Sequence, residues 1–180
     1  MAEPAGKPMT VDEFLCWDDG TDRRFELLDG QILAMAPPSG AHRTIAANAT
    51  RLIGNRLERR SPCRVEVEGG VRVSELTRWQ ADLAVTCGPL AQDVVEPLLI
   101  VEVVSPSTRD NDLGRKLPDY KALPSVREIW LVDSERRWAQ VWWRDGDSWH
   151  GRDHPGGATF RSDVLDSGVA LDELYLNAGV

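Results

Sequence analysis

Cysteine is scarce in this sequence, with three residues in a chain of 180. Cys16, Cys63 and Cys87 are odd in number and far apart, so the pattern predicts neither a disulfide framework nor a zinc knuckle. We therefore expect a protein of a reducing compartment, the cytoplasm.

Long apolar runs are also missing. No stretch approaches the roughly 20 apolar residues of a membrane-spanning helix, and we expect no membrane association. The start, MAEPAGKPMT, lacks the apolar segment of a signal peptide. A chain of 180 residues is long enough for one domain with a real core and short for two. We expect a flexible tail over residues 1–9 and a single domain over residues 10–180.

Positive charge is in deficit, because the net charge is −8. That deficit argues weakly against general affinity for nucleic acid, but exposed charges are screened beyond about 8–10 Å, so local pattern matters more. Between His42 and Arg64 one acid, Glu58, accompanies six arginines: Arg43, Arg51, Arg56, Arg59, Arg60 and Arg64. Such a run is usually a solvated helix face. It is also the only basic patch able to meet phosphates, with Arg43 and Arg51 as candidate contacts.

Periodicity predicts a mixed α/β domain. Thr10-x-x-Glu13 is a capping box that predicts an N-terminal helix, and Asp29-Gly30 in RFELLDGQILAMAP predicts a tight hairpin. A long helix should follow, ending before Ser61-Pro62, with an apolar face of Ile45, Ala49, Leu52, Ile53 and Leu57. Strand-like segments dominate the rest: CRVEVEG, GVRVSE, ADLAVT, LLIVEVV, and a hairpin of EIWLVD with WAQVWW. A last short helical run lies near LDELYL. One central sheet flanked by helices accounts for this order.

Glu102 is the one ionisable residue of the apolar segment LLIVEVV, residues 98–104. Alternation places it with apolar side chains, and the opposite face of the strand is apolar as well. An unpaired carboxylate there would cost several kcal/mol. A structural salt bridge to Arg109 or Arg115 would remove that cost, and so would a bound cation.

Asp82 precedes Glu102 by twenty residues, in the segment ADLAV. Adjacent strands lie under about 5 Å apart, so the two carboxylates can meet at one end of a sheet, where they would repel. A divalent cation removes that repulsion, and a few oxygen ligands suit Mg²⁺ or Mn²⁺. The main-chain carbonyl of Val103 is a candidate third ligand. Taken alone, Asp82 would be interpreted as an aspartate capping a turn.

Three further polar residues follow at helical spacing: Asp112, Lys116 and Tyr120. On a helix they would share one face and could direct the Lys116 ammonium at a metal-bound water or a phosphate. Pro118 disfavours a regular helix here, so we expect the helix to start near Pro118, with a looser turn before it.

The succession of these motifs resembles the Uma2 family, whose members are restriction-endonuclease-like proteins of the PD-(D/E)XK nuclease superfamily. The resemblance spans roughly residues 10–145 and rests on RFELLDGQI, a Pro/Ser-rich turn with His42, ADLAV, LLIVEVVSPST, Lys-x-x-x-Tyr and EIWLVD. It implies a restriction endonuclease-like fold, with Asp82 and Glu102 as metal-binding acids. Lys116 would take the lysine role, displaced from the strand onto the following segment. Ala81 and Val104 depart from the superfamily motif, which has proline and lysine there.

Several accessory residues follow from the same resemblance. Glu26 and His42 sit at recurring family positions and are candidates for the pocket rim. The competing interpretation of Glu26 is an exposed strand residue, and that of His42 is an ordinary residue at the start of a helix. Tyr120 is expected to pack or to orient Lys116. His150 and His154 lie in a Gly/Pro-rich stretch that does not favour a metal site.

The predicted function is an endonuclease that uses Mg²⁺ or Mn²⁺ to hydrolyse phosphodiester bonds of nucleic acid, with DNA as the expected substrate. One alternative is a catalytically inactive nuclease fold that serves as a DNA-binding or assembly module. Another is a glycosidase with an acid/base pair, whose activity would survive EDTA. Tryptophans near the C-terminus, Trp130, Trp138, Trp142, Trp143 and Trp149, favour core and subunit packing, and we expect a homodimer or higher homo-oligomer.

Overall fold

A computed structural model describes residues 7–58, 62–106 and 108–180. The helices are α1 (Val11–Leu15), α2 (Gly40–Leu57), α3 (Arg109–Asn111), a π-helical turn (Asp112–Lys116), α4 (Leu117–Ala122) and α5 (Leu171–Leu174). The strands are β1 (Phe25–Leu28), β2 (Gln31–Ala34), β3 (Arg64–Arg72), β4 (Arg78–Thr86), β5 (Leu99–Val104), β6 (Glu128–Asp133), β7 (Trp138–Asp145), β8 (Ser148–Pro155), β9 (Thr159–Ser162) and β10 (Ser167–Ala170).

One large sheet organises the chain, in the order β2-β1-β4-β5-β6-β7-β8, with β3 also paired to β4. The pairing of β5 with β6 is parallel and the other pairs of this sheet are antiparallel. Strands β9 and β10 form a separate antiparallel pair. The predicted class, a mixed central sheet flanked by helices, is confirmed.

The local signals of the first third are found as predicted. Thr10 and Glu13 form a reciprocal capping box at α1. Asp29 and Gly30 both take positive φ, 49° and 76°, as the two central residues of a tight hairpin between β1 and β2 require. Helix α2 starts at the Ser39 cap and ends before Pro62.

Core clusters lie on both faces of the sheet, which explains why β5 is apolar throughout. Leu99, Val101 and Val103 belong to a cluster that α2 covers, whereas Ile100 and Val104 belong to a second cluster with Leu117 and Tyr120 of α4. Each fully buried aliphatic side chain contributes about 1.5–3 kcal/mol. Glu102 points into the second cluster because it alternates with Ile100 and Val104.

At the N-terminus, residues 1–6 lie outside the described part of the chain. Within the region predicted as a tail, the Met9 N–H donates to the Gly30 carbonyl at 3.1 Å. Arg59 and Arg60 of the arginine run also lie outside the described residues.

The C-terminal region contains strands that periodicity did not predict. The expected short helix is present as α5, and the structure also forms three strands before it, β8, β9 and β10. Strand β8 lies at the edge of the sheet and most of its residues are exposed, so its sequence SWHGRDHP lacks an alternating apolar face. Its ladder with β7 is set by the turn at residues 146–147.

The expectation that the cysteines form no disulfide is wrong. Cys63 and Cys87 are joined by a disulfide across a sequence separation of 24. They flank the paired residues Arg64 and Thr86 of β3 and β4, so the antiparallel register brings them side by side. Cys16 is free and exposed. The cysteine-based argument for a reducing compartment is thereby lost.

Within the described residues, no helix is long and apolar enough to cross a membrane.

The disulfide generates a stability prediction. Closing a loop over a separation of 24 residues should stabilise the fold by about 3 kcal/mol, because it restricts the unfolded chain. Cys63→Ser should lower the free energy of unfolding by about that amount in non-reducing urea titrations. Cys16→Ser is the matched control and should leave stability unchanged. If dithiothreitol does not alter the wild-type midpoint, the bond contributes no stability.

Candidate functional site

The site lies where the central sheet splits. Along one edge of β4, pairing with β1 is made at Arg78, and pairing with β5 begins at Leu83. Between these points, side chains complete the edge: the Gln80 N–H donates to Glu26 Oε1 at 3.0 Å, and Lys116 Nζ donates to the Gln80 carbonyl at 3.3 Å. The split therefore brings charged groups to backbone atoms that a neighbouring strand would otherwise bond.

The opposite edge of β4 is irregular at the same point. Pairs of β3 with β4 occur on both sides of Glu68 and Asp82, at Val67–Leu83 and Gly69–Ala81. Glu68 itself has φ of 53°, an uncommon conformation for a residue other than glycine. The register is the same on both sides of this point, so no residue is inserted and the ladder is interrupted at the single position that would pair Glu68 with Asp82. Glu68 is further held by an ion pair with Arg24.

Asp82 is fixed by two contacts on a single oxygen. Its Oδ2 accepts the Val103 N–H at 2.7 Å and faces His42 Nε2 at 3.2 Å. The side chain is 17% exposed. The other ring nitrogen of His42, Nδ1, is buried without a hydrogen-bond partner in the described structure. The His42 ring therefore makes its hydrogen bond to Asp82 alone.

Glu102 is buried, with 3% of its side chain exposed, and its partners are a lysine and a tyrosine. The Tyr120 hydroxyl donates to Oε1 at 2.7 Å, and Lys116 Nζ lies 3.4 Å from the same oxygen. The alternative of a structural salt bridge to arginine is wrong for Arg109, which pairs with Asp133 instead.

Lys116 is surrounded by three carboxylates. Its Nζ lies 2.8 Å from Glu26 Oε1, 3.4 Å from Glu102 Oε1 and 3.6 Å from Asp112 Oδ1. A wide turn positions it, because the Leu117 N–H bonds the Asp112 carbonyl five residues earlier. The prediction of a looser turn ahead of a helix near Pro118 is confirmed: the π-helical turn ends at Lys116, and Pro118 lies in the first turn of α4. Single π-helical turns are frequent at functional sites.

Burial dominates the electrostatics of the cluster. Burial raises the pKa of Glu102 well above its usual range, and the nearby Lys116 only partly opposes this. Burial also raises the pKa values of Asp82 and Asp112. For Lys116, burial alone would lower the pKa, but Glu102, Glu26 and Asp112 raise it above its ordinary value, so its charge is retained. Burial and the neighbouring Glu102 likewise raise the pKa of Tyr120.

A cavity of about 720 Å³ opens onto these groups. Its acidic lining residues are Glu26, Asp82, Glu102, Asp112 and Glu135, and the basic ones among the described residues are Arg24 and Lys116. Carboxyl groups therefore outnumber basic side chains, and both Arg24 and Lys116 are already paired. A site with an excess of buried carboxylate oxygens is one that a divalent cation stabilises, because these oxygens can serve as its ligands.

A cation fits this donor set as a site of two carboxylates and a carbonyl. The described hydrogen bonds and ion pairs to other residues fall on Oδ2 of Asp82 and on Oε1 of Glu102, and the two carboxyl groups lie within hydrogen-bonding distance of each other. The Val103 N–H points to Asp82, and in an extended strand the carbonyl of the same residue points to the same edge. No group of three or more His, Cys, Asp or Glu side chains arranged for a metal occurs in residues 7–58, 62–106 and 108–180. Water would have to complete the coordination, which suits Mg²⁺ better than zinc.

The predicted phosphate contacts do not line this cavity, although Arg43 donates to the carbonyl of the lining residue Pro38 at 2.7 Å. Arg43 and Arg51 are exposed on α2 and are not part of its lining. Arg24, which does line it, was missed because nothing in the sequence distinguishes it from Arg23. Among the tryptophans, Trp130 is buried in the core, and Trp142 and Trp149 pack against the second cluster.

Comparisons with known proteins agree with this architecture. The model of the Uma2 family, described as "Putative restriction endonuclease", matches residues 11–173. A Synechocystis protein named "Uncharacterized protein slr1290" is 30% identical over 132 residues, 70% of this chain and 69% of its own length. A second one, "Uncharacterized protein sll1609", is 25% identical over 141 residues, 71% of this chain and 76% of its own length. A crystal structure from Anabaena variabilis, titled as a putative nuclease of DUF820, superposes with a TM-score of 0.75 at 19% identity, covering 94% of this chain and 98% of that one. That likeness shows the fold.

The raised pKa of Asp82 gives a stability prediction without metal. Because the folded state binds this proton more tightly than the unfolded chain does, stability falls as pH rises from the ordinary Asp range through the raised pKa. Asp82→Asn should therefore increase the free energy of unfolding at pH 7–8 by about 0.5–2 kcal/mol in EDTA, and the gain should shrink as pH falls towards 4. Asp147→Asn, at an exposed turn, is the control. A loss of stability at every pH would mean that the Asp82 carboxylate is structural.

Proposed function

The chain belongs to the Uma2 family, and on that premise we propose that it is a metal-dependent endonuclease that hydrolyses phosphodiester bonds of nucleic acid, with DNA as its substrate. The observation that carries this proposal is the meeting of Asp82 and Glu102 in one cavity, close enough to hydrogen-bond to each other, beside a charged lysine. Mg²⁺ or Mn²⁺ would be held by Asp82, Glu102 and the Val103 carbonyl. There it would supply an activated water and polarise a phosphoryl oxygen.

Protein groups would position the reaction. Lys116 would direct its ammonium at the attacking water or offset charge that grows on the transferring phosphate. Glu26, the nearest partner of Lys116, would hold the ammonium in that place, and Tyr120 would orient Glu102 through the hydrogen bond on Oε1. His42 would orient Asp82, as hydrogen-bonded outer partners orient metal ligands elsewhere.

Cation binding is the first test of the proposal. Calorimetric titration with Mn²⁺ should give a binding signal for the wild-type protein, and Glu102→Gln should abolish it because one carboxylate ligand is lost. Glu135→Gln, an exposed acid of the same cavity, is the matched control and should bind as the wild type does. An unchanged signal in Glu102→Gln would remove the proposed metal site.

Hydrolysis is tested with supercoiled plasmid in Mn²⁺ or Mg²⁺. Replacing Lys116 by a neutral residue would leave three buried carboxylates unpaired, at a cost of about 3–5 kcal/mol, so the fold could be lost. Lys116→Arg keeps the charge but moves it, since a guanidinium is planar and longer. We expect nicking to fall by about 10²-fold or more, with Mn²⁺ affinity retained. If wild type and Lys116→Arg are equally inert on the plasmid and on single-stranded circular DNA, a DNA-binding or assembly module becomes the better interpretation.

Three accompanying assignments belong to this proposal. Arg43 and Arg51 would meet phosphates outside the cavity, because both are exposed on α2. A homodimer, measurable by sedimentation equilibrium, would bring two such sites to one nucleic acid.

The proposed location is the cytoplasm, which agrees with a nucleic-acid substrate. The Cys63–Cys87 disulfide is the one feature that favours an oxidising compartment instead.

A further inference from the structure

One side of the cavity is an apolar wall. Residues 33–38, LAMAPP, line it consecutively, from the end of β2 to the turn before α2. Val103 and Pro106 extend the apolar lining near the acids. An apolar surface of this kind gains free energy by contact with the sugar and base of a nucleotide, whereas the outside of a duplex presents charged phosphates.

The proposed reacting groups lie deep behind this wall. The side chains of Glu102 and Lys116 are 3% and 6% exposed, and that of Asp82 is 17% exposed. Arg24 is 32% exposed and therefore lies nearer to solvent than the acids do. A phosphate must pass below the protein surface to reach the acids.

The size of the cavity limits what can accompany that phosphate. Its volume of about 720 Å³ lies in the range of sites that enclose one small ligand, about 300–1,000 Å³. In a duplex the nucleotide attached to a phosphate is paired and stacked, and extracting it costs free energy that an unpaired strand does not spend.

From this geometry we infer that the cavity accepts one nucleotide of an unpaired strand, so the substrate class is single-stranded nucleic acid. The inference rests on the proposed function and names its substrate. The apolar wall of residues 33–38 contacts the sugar and base, and Arg24 exchanges its partner Glu68 for a phosphate further along the strand. Duplex is bound only where it contains unpaired nucleotides.

Binding measurements test this independently of hydrolysis. Fluorescence anisotropy compares labelled single-stranded DNA, RNA of the same sequence, a blunt hairpin duplex and a duplex with a central bubble, with Ca²⁺ in place of Mg²⁺. We expect single strands and the bubble to bind at least about tenfold more tightly than the duplex. The DNA and RNA arms identify the sugar that is preferred. Equal or tighter duplex binding, or binding to none of the four, overturns the inference.

Cleavage of the same four molecules in Mn²⁺ separates the inference from the proposed function. Faster cleavage of the unpaired segments supports both. A preference for unpaired strands in binding, without cleavage of any molecule, supports the inference and overturns the hydrolytic function.

A wall variant tests where the strand lies. Met35→Gln keeps the side-chain length but makes the wall polar, and should weaken single-strand binding by about threefold to tenfold with Mn²⁺ affinity unchanged. Met9→Gln is the control, since Met9 is also partly buried but packs against the small cluster around Val11. An unaltered single-strand affinity in Met35→Gln overturns the placement of the nucleotide against residues 33–38.

Discussion

The ion cluster of Lys116 joins the elements on which the rest of the site depends. One buried ammonium contacts Glu26 of β1, Glu102 of β5 and Asp112 of the π-helical turn, and it also donates to the main chain of β4. Strands β1, β4 and β5 and the π-helical turn are thereby held around one charge. Removing the ammonium from such a buried cluster costs about 3–5 kcal/mol, because the carboxylates that remain stay desolvated.

The split between β1 and β5 is what makes room for this cluster. In a continuous sheet the Gln80 main-chain groups would pair with a neighbouring strand, and no charged side chain would reach them. Here Glu26 and Lys116 satisfy those groups, and the ladder between β3 and β4 is interrupted beside them, at Glu68 and Asp82. The site therefore holds an excess of carboxylates at the expense of regular pairing and of favourable solvation. Local strain and unbalanced charge of this kind are characteristic of functional sites.

Much of this arrangement could be predicted from local patterns. The burial of Glu102 in an apolar strand, the approach of Asp112 to Lys116 and the looser turn before Pro118 each follow from local sequence, and the structure has all three. Arg24 could not be predicted as a cavity residue, since its place depends on how the first hairpin sits against β4. Strands β8 to β10 were missed because an exposed edge strand needs no apolar alternation. The Cys63–Cys87 bond was missed because its partners are adjacent only through strand register.

The sequence by itself determined the apolar faces of α2 and β5, where the first hairpin turns and where α2 ends, because burial periodicity, positive-φ turns and helix caps act over a few neighbouring residues. It also identified the acids whose burial needed a partner. Tertiary structure alone decided who that partner is. Lys116, rather than Arg109, reaches Glu102 because the wide turn before α4 directs it beneath the split sheet, and contacts between different secondary-structure elements leave no periodic trace in the sequence.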